Sequence, residues 1–297
     1  MIVDADFVAA RPEAVLADVR WYLDGRDGRA SYEVGHLPGA VWVDLDRQLA
    51  AHDFAPTEGR HPLPSPRAFA AAMTELGIGD DTIVIAYDDT GGLTAGRLVV
   101  MLRMLGRDAA LLDGGLAAWP GPVETGTGSK PASAGTRAET GSAATRTEPF
   151  TARPWPLDRL ASTDETAAAA RRPGSVVLDA RSAERFSGAV AHIDPRPGHV
   201  PGARNAPWAA VLGPHGLVRH PHELLEHYGR LGIDTVAASA DAGGRPTTDT
   251  IAYCGSGVSA CMNVIAMEHA GLTPARLYVA SWSGWSADPD RPAALGE

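Results

Sequence analysis

The sequence predicts an α/β protein made of two similar domains, each with a largely parallel central sheet flanked by helices on both faces. One observation is that the same ordered set of motifs occurs in both halves of the chain. Another is that short apolar β-type runs alternate with helical stretches in each half, a pattern typical of parallel α/β domains. Between the halves, residues 121–150 are rich in small and polar residues and favour a flexible linker. We therefore expect domains over residues 1–120 and 151–297.

The repeated order begins with an Asp-x-Arg strand end and a Gly-His-hydrophobic-Pro-Gly-Ala turn. An apolar strand ending in tyrosine, a glycine-rich loop, a helix and a tryptophan follow. The pair Tyr87 and Tyr253 and the pair Trp119 and Trp285 are separated by the same number of positions. Chance does not produce so many elements in one order, so an internal duplication is the simplest explanation.

Composition restricts the classes of function. The chain has 297 residues, enough for two cores, and no apolar run of membrane-spanning length. Its net charge of -10 argues against nucleic acid or an anionic membrane as the main partner. The start lacks the basic and apolar regions of a signal peptide. Two cysteines in one short window cannot staple a fold of this size, so we expect a cytoplasmic protein with reduced thiols.

The most informative motif is the stretch from Tyr253 to Cys261, where an apolar strand meets a predicted amphipathic helix over residues 258–270. Cys254 begins the intervening loop, whose remaining residues are Gly255, Ser256, Gly257, Val258 and Ser259. Backbone N–H groups of such a turn, together with the helix dipole, hold an anion and favour a thiolate. Cys254 is therefore the predicted nucleophile. Cys261, one turn into the helix, is predicted to be a packing residue.

In the first half, Asp88 stands where Cys254 stands in the second. A carboxylate cannot act as a thiol nucleophile, so we expect the first domain to be catalytically inactive. Cysteine phosphatases also place a nucleophilic cysteine in an anion-binding loop, but they need an arginine six positions after the cysteine. That position is Ala260, which argues against phosphate chemistry.

These motifs resemble the rhodanese family of sulfurtransferases over nearly the whole chain outside the linker. The stretch from Tyr32 to Val43 is similar to the N-terminal signature of the family. The stretch from Tyr278 to Trp285 keeps the aromatic residues of the C-terminal signature. It departs from that signature at three positions, Val279, Ala280 and Gly284.

The resemblance implies a tandem arrangement in which only the second domain carries the nucleophile. The loop after Cys254 lacks the basic residues of thiosulfate-preferring members and is similar to that of the 3-mercaptopyruvate sulfurtransferases. In that branch Ser256 would polarise the substrate, and Arg185 and Arg196 would bind its carboxylate and carbonyl groups. Arg181 is expected to form a structural ion pair.

The resemblance also implies a proton relay of Ser256, His61 and Asp46, with Asp44 as a rival to Asp46. The Gly-His turn occurs in both copies, with His36 in the first and His199 in the second. Since only one copy can react, both histidines are predicted to be turn residues. The histidines between residues 215 and 227 lack the cysteine or acidic partners that a metal site needs.

The leading hypothesis is a sulfurtransferase that forms a persulfide on Cys254 and needs no cofactor. The donor would be 3-mercaptopyruvate and the acceptor a thiol, thioredoxin or cyanide. The first alternative is a thiosulfate sulfurtransferase. The second, a non-catalytic rhodanese-like sensor or binding module, is disfavoured because the chain keeps its nucleophile and its arginines.

Overall fold

The computed structural model describes residues 2–128, 148–191, 193–235 and 248–296. Most of the predicted linker lies outside the described residues. The chain forms two compact units. The N-terminal unit contains residues 3–50 and 64–155, and the C-terminal unit contains residues 1–2, 51–63 and 156–297. The domain boundaries at residues 120 and 150 stay a prediction. Within the described ranges, no helix is both long and apolar enough to span a membrane.

The N-terminal unit is built on a five-stranded sheet of order β1-β5-β4-β2-β3, in which β2 runs parallel to β3 and β4, and β4 runs parallel to β5. The strands of this sheet are β1 (Ile2–Val3), β2 (Val15–Asp18), β3 (Val41–Trp42), β4 (Val84–Tyr87) and β5 (Ala109–Leu112), and the unit boundary falls within β1. Its helices are α1 (Ala5–Ala9), α2 (Gly28–Val34), α3 (Leu45–Gln48), α4 (Pro66–Glu75) and α5 (Ala95–Met104).

The C-terminal unit is built on a four-stranded sheet of order β7-β6-β8-β9, with every neighbouring pair parallel. Its strands are β6 (Ser175–Asp179), β7 (Arg204–Asn205), β8 (Asp249–Tyr253) and β9 (Arg276–Leu277). Its helices are α6 (Thr163–Ala169), α7 (Ala183–Ser187), α8 (Pro221–Arg230), α9 (Ala260–His269) and α10 (Ser281–Ala287). The predicted α/β class with largely parallel sheets is confirmed.

Both units use the same Asp-x-Arg contact at the end of a strand. In the C-terminal unit, Arg181 donates through Nε and Nη2 to Asp179, and through Nη2 to the carbonyl of Gly198. In the N-terminal unit, Arg20 makes the same contacts with Asp18 and the carbonyl of Gly35. The fork therefore ties a strand end to the following Gly-His turn in each unit, which is the structural role predicted for Arg181.

The two turn histidines also have equivalent surroundings. His36 stacks on Tyr32, and His199 stacks on Phe186, with ring centroids 3.9 and 3.7 Å apart. In each case the histidine Nδ1 lies 2.9 Å from the carbonyl oxygen of the residue on which it stacks. Burial lowers the pKa of His199. The geometry fits the structural role that the sequence predicts for both histidines.

The core of the C-terminal unit packs behind the strand that leads to Cys254. Tyr253, Trp282 and Trp285 are buried in one cluster with apolar residues of β6 and α6. The hydroxyl of Tyr253 accepts a hydrogen bond from the Val200 N–H at 3.1 Å, and burial raises its pKa well above the usual value. Tyr253 precedes the loop and the Trp282 N–H donates to the carbonyl of Cys254, so this cluster fixes the start of the loop.

Helix α9 differs from its prediction. The sequence predicted an amphipathic helix over residues 258–270, but the helix begins at Ala260, and every residue from Ala260 to Met267 is buried. The reason is that α9 packs against β8 and β9 and also against α8, so it has no solvent-facing stripe. Cys261 is fully buried there, and its thiol donates to the carbonyl of Gly257 at 3.5 Å.

A segment from the first half of the chain, residues 51–63, packs within the C-terminal unit against α10. Two glycines permit this approach. A Cβ atom at Gly59, where φ is +87°, would lie 2.3 Å from the carbonyl oxygen of Ala280. A Cβ atom at Gly284 would lie 2.5 Å from the carbonyl oxygen of Thr57. Gly284, a departure from the family signature, thus leaves room for the backbone of residues 57–59.

Candidate active site

Cys254 lies where the sequence placed it, directly after β8 at the carboxyl edge of a parallel sheet. Open α/β sheets usually hold ligands at this edge. Its side chain is almost completely buried, and it forms no disulfide. A buried thiol at a strand end can be reached only by a donor that enters the loop itself.

The backbone of the cysteine loop contacts the sulfur atom of Cys254. The Gly257 N–H points at Cys254 Sγ, with 3.2 Å between nitrogen and sulfur, and Gly257 has a φ of +78°. Helix α9 begins three residues later and adds the positive end of its dipole. A negatively charged sulfur at this position is therefore stabilised by the loop and the helix together.

The start of α10 fixes the other side of the loop. Cys254 N–H donates to Ser281 Oγ at 3.1 Å, and the N–H groups of Trp282 and Ser283 donate to the carbonyls of Cys254 and Gly255. Ser281 has a φ of +55°, which is uncommon for a residue other than glycine. Sequence reasoning missed these two serines, because α10 approaches the loop only in the folded chain.

His61 reaches this loop from the segment 51–63. Its Nδ1 atom lies 2.8 Å from Ser256 Oγ, and both side chains are buried. The segment is positioned by a hydrogen bond from Arg60 N–H to Ser283 Oγ at 3.0 Å. Two of the three predicted relay residues are therefore in contact beside the cysteine.

Two guanidinium groups approach the loop at Gly255. A Cβ atom added to Gly255 would lie 2.8 Å from Nη2 of Arg185 and 2.9 Å from Nη2 of Arg60. A side chain at this position would therefore displace the ends of both arginines next to Cys254. Arg185 is thus where the resemblance predicted a substrate arginine, whereas Arg60 was not singled out. The basic residue beside His61 was the available signal for it.

Asp194 joins these arginines. Its Oδ1 lies 2.8 Å from Arg60 Nη1, and its Oδ2 lies 2.5 Å from Arg185 Nη2 and 3.5 Å from Arg181 Nη1. Burial alone would raise the pKa of Asp194, but the hydrogen bond from Arg60 and the charge of Arg185 outweigh it and lower the pKa. The carboxylate is therefore ionised and holds both guanidinium groups in place.

Arg196 is used elsewhere in the structure. Its Nε donates to the carbonyl of Ser286 at 3.0 Å, and its Nη2 donates to the carbonyls of Asp288 and Arg291 at 2.8 and 3.0 Å. These acceptors lie at and beyond the C-terminal end of α10, where carbonyl groups lack helical partners. The structure does not bring Arg196 into the group formed by Arg60 and Arg185, so its substrate role stays a prediction.

Asp46 lies in the N-terminal unit, in the first turn of α3, where its Oδ2 accepts a hydrogen bond from Trp21 Nε1 at 2.8 Å. Its rival Asp44 is the N-cap of the same helix and accepts from the Arg47 N–H. Capping gives Asp44 a local structural role. The part of Asp46 in the relay stays a prediction.

The equivalent loop of the N-terminal unit is occupied by the side chain of Asp88. Asp88 is completely buried, and its two carboxylate oxygens accept hydrogen bonds from four backbone N–H groups and one hydroxyl. The donors are Thr90 N–H, Gly92 N–H, Thr94 N–H, Thr94 Oγ1 and Ala95 N–H. This loop therefore holds an anion, as predicted for the cysteine loop, but the anion is part of the chain.

The remaining predicted site residues lie at the end of the cysteine loop. Val258 and Ser259 complete the loop before α9, and no side-chain hydrogen bond caps that helix at Ser259. The described ranges contain no cluster of three or more histidine, cysteine or acidic residues able to hold a metal ion.

Comparison with known proteins gives a consistent result. The rhodanese-like domain model matches residues 6–121 and 162–288. The chain is 33% identical to the 3-mercaptopyruvate sulfurtransferase of Escherichia coli, over 98% of this chain and 96% of that protein. It is 38% identical to a Mycobacterium tuberculosis protein that carries a thiosulfate sulfurtransferase name, over 98% and 94%. The crystal structure of SseA from Escherichia coli covers 95% of this chain and 98% of its own, with a TM-score of 0.75 and 29% identity.

Proposed function

Because the chain belongs to the rhodanese-like family and is a sulfurtransferase with two rhodanese domains, we propose that it transfers sulfur from 3-mercaptopyruvate through a persulfide on Cys254. The observation that carries the proposal is the arrangement around the loop. A cysteine in an N–H cradle, a buried His61–Ser256 pair and two arginines beside Gly255 supply a nucleophile, a proton carrier and a carboxylate site.

In the first step the Cys254 thiolate attacks the sulfur of 3-mercaptopyruvate. An S–S bond forms while the C–S bond breaks, and its electron pair remains on the leaving pyruvate enolate. The thiol proton of the donor finally resides on the methyl carbon of pyruvate, so the step needs no outside acid. His61 and Ser256 carry that proton, because their hydrogen bond lets the hydroxyl donate on one side while the imidazole replaces the proton.

The carboxylate of the donor binds between Arg60 and Arg185. Both guanidinium groups have an Nη2 atom near Gly255, and Arg185 Nε is buried without a hydrogen-bond partner among the described residues. An unused buried donor is costly and is satisfied when an anion enters. Arg60 thus takes a substrate role that the sequence did not predict, beside the predicted Arg185.

In the second step an acceptor thiol, thioredoxin or cyanide attacks the outer sulfur and restores the Cys254 thiolate. The Gly257 N–H and the dipole of α9 stabilise the thiolate as a leaving group. The protein acts in a reducing compartment, the cytoplasm, because both cysteines are free thiols and the nucleophile must be reduced.

Thiosulfate is the second candidate donor. A relative of Mycobacterium tuberculosis at 38% identity carries a thiosulfate sulfurtransferase name, and the paired arginines can also bind a sulfonate group. Against this donor, the loop after Cys254 has no basic side chain of its own. We therefore rank 3-mercaptopyruvate first.

Intact mass spectrometry tests the proposal. Wild-type protein incubated with 3-mercaptopyruvate should gain one sulfur atom and lose it again on addition of cyanide. Cys254→Ser should gain none, whereas Cys261→Ser, the matched control, should behave like the wild type. Absence of an adduct with either donor would exclude the sulfur-transfer mechanism. Better turnover with thiosulfate than with 3-mercaptopyruvate would replace the first donor with the second.

A further inference from the structure

The arginine site at Gly255 is held by a buried acid that belongs to neither the nucleophile nor the proton relay. The Asp194 side chain is 1% exposed, yet each of its carboxylate oxygens binds a different substrate arginine. Arg60 Nη1 donates in addition to the carbonyl of Ile193 at 2.9 Å, next to the carboxylate in the chain. The turn at residues 193–194 therefore fixes the spacing of the two guanidinium groups.

Asp194 also determines the charge of this site. The ion-paired group contains three arginines and two aspartates, namely Arg60, Arg181, Arg185, Asp179 and Asp194. Arg181 and Asp179 neutralise each other through their own fork. The two arginines that face the loop and the single carboxylate of Asp194 leave one net positive charge at the arginine site, while the charge of the Cys254 thiolate is offset separately by the Gly257 N–H and the dipole of α9. The lowered pKa of Asp194 keeps that balance at neutral pH.

One net positive charge matches a donor with one negative charge. The carboxylate of 3-mercaptopyruvate carries one charge at neutral pH, whereas thiosulfate carries two. A dianion would leave one uncompensated negative charge beside the buried Asp194 carboxylate, which is unfavourable where water cannot screen it. The same buried acid that positions the arginines therefore opposes the more highly charged donor.

We propose that Asp194 is a specificity-determining residue, which selects a singly charged sulfur donor over a doubly charged one by fixing the net charge at Arg60 and Arg185. The proposal rests on the proposed function, since it concerns the donor of that reaction. It adds a residue that does not touch the reacting sulfur and acts through the two arginines.

The test compares kcat/KM for 3-mercaptopyruvate and thiosulfate in the wild type and in Asp194→Asn. The amide keeps the shape and removes the negative charge, so the ratio should move toward thiosulfate by about tenfold or more, as expected for removing a nearby like charge. The gain should shrink at high salt. Asp194→Glu, which keeps the charge, should retain the wild-type preference. Glu184→Gln removes an exposed charge next to Arg185 and should leave the ratio unchanged.

A fold-independent measurement uses the wild type alone. Pyruvate, a monoanion, should inhibit more strongly than sulfate, a dianion, at low ionic strength, and tighter inhibition by sulfate would overturn the proposal. An unchanged donor ratio in folded Asp194→Asn, or an equal fall for both donors, would overturn it as well. These results differ from failure of the proposed function, in which wild-type Cys254 would take no sulfur from either donor.

Discussion

The Nδ1 atom of His61 lies 2.8 Å from the Oγ atom of Ser256, although 195 positions separate the two residues in the chain. Both side chains are buried in the C-terminal unit, one in the segment 51–63 and the other in the cysteine loop. A hydrogen bond of this kind allows a proton to pass between hydroxyl and imidazole. It brings an imidazole, which the cysteine loop itself does not contain, into hydrogen-bond contact with that loop.

Loss of His61 should affect the two donors differently. Pyruvate enolate must receive a proton at carbon, whereas sulfite leaves thiosulfate without needing one. We expect His61→Asn to lower kcat for 3-mercaptopyruvate by about a hundredfold, the lower end for a general acid–base group, and to change kcat for thiosulfate by a few-fold at most. Steady-state kinetics with both donors give the comparison.

Ser256→Ala should give a similar loss, and the double variant should be no worse than either single one, because the two residues act as a unit. An equal loss with both donors would mean that the pair shapes the loop and does not transfer the proton.

Arg196 should contribute mainly to stability. Its guanidinium donates to carbonyls at the end of α10, so Arg196→Met leaves those acceptors without partners. We expect a lower free energy of unfolding by about 2–4 kcal/mol, the range for breaking a network of hydrogen bonds to a charged group. Urea denaturation measures the loss, with Arg171→Met, an exposed arginine, as the control. A raised KM for 3-mercaptopyruvate at unchanged stability would instead restore the predicted substrate role.

A side chain at Gly284 should disturb the active site from a distance. A Cβ atom there would lie 2.5 Å from the Thr57 carbonyl, so Gly284→Ala must push the segment carrying Arg60 and His61 away from α10. We expect a higher KM and a lower kcat for 3-mercaptopyruvate, each by about tenfold, as small displacements of positioned groups are costly. Gly229→Ala, in α8, should leave both constants unchanged, because its added Cβ would lie 3.7 Å from Thr235 Cγ2, an ordinary contact distance. Wild-type kinetics in Gly284→Ala would show that the segment does not need this close approach.

Glu165 should make stability depend on pH in the acid range. Its carboxylate accepts from the Ser162 N–H in a capping box and pairs with Arg276, which lowers its pKa to about 2. Because the pKa of Glu165 is lower in the folded state than in the unfolded state, its ionised carboxylate stabilises the fold at pH values above about 4.5. This stabilisation is lost as the pH falls from about 4.5 toward 2.

Glu165→Gln should therefore be less stable than the wild type at pH 7, by about 1 kcal/mol or less because the site is half exposed. The difference should vanish near pH 2. Thermal unfolding measured at both pH values provides the test, and a difference that persists at low pH would assign the effect to packing.

Asp88 should be essential to the N-terminal loop but not to sulfur transfer itself. Asp88→Asn replaces one accepting oxygen with an NH₂ group that faces backbone donors. We expect a loss of about 2–4 kcal/mol, the cost of leaving buried donors unsatisfied in such a network. Urea unfolding checks it, with exposed Asp81→Asn as the control. Unchanged stability of Asp88→Asn would mean that the loop does not depend on this carboxylate.

The fold and the positions of Cys254 and His61 could be predicted from the sequence, because each is marked by a local pattern. Repeated motifs indicated the two domains, and the six residues of the Cys254 loop form a pattern typical of an anion-binding turn around a cysteine. Arg60 and Asp194 were not predicted as site residues, because residues distant in the chain come together near Gly255 only in the folded structure. Arg196 illustrates the opposite case: the resemblance implied a substrate role for it, although its spacing from Arg185 is slightly longer than the family pattern, and the fold directs its donors to the end of α10.

The path of residues 51–63 has a consequence for how the gene can be divided. Arg60 and His61 are encoded in the half whose loop carries Asp88 in place of a cysteine, yet they belong to the unit that contains Cys254. A protein started at residue 151 would contain Cys254 but lack His61 and Arg60, the two residues of this segment that lie against the cysteine loop. The two copies have therefore ceased to be separable modules, and recombination that exchanges only one of them would break the enzyme even if both halves folded.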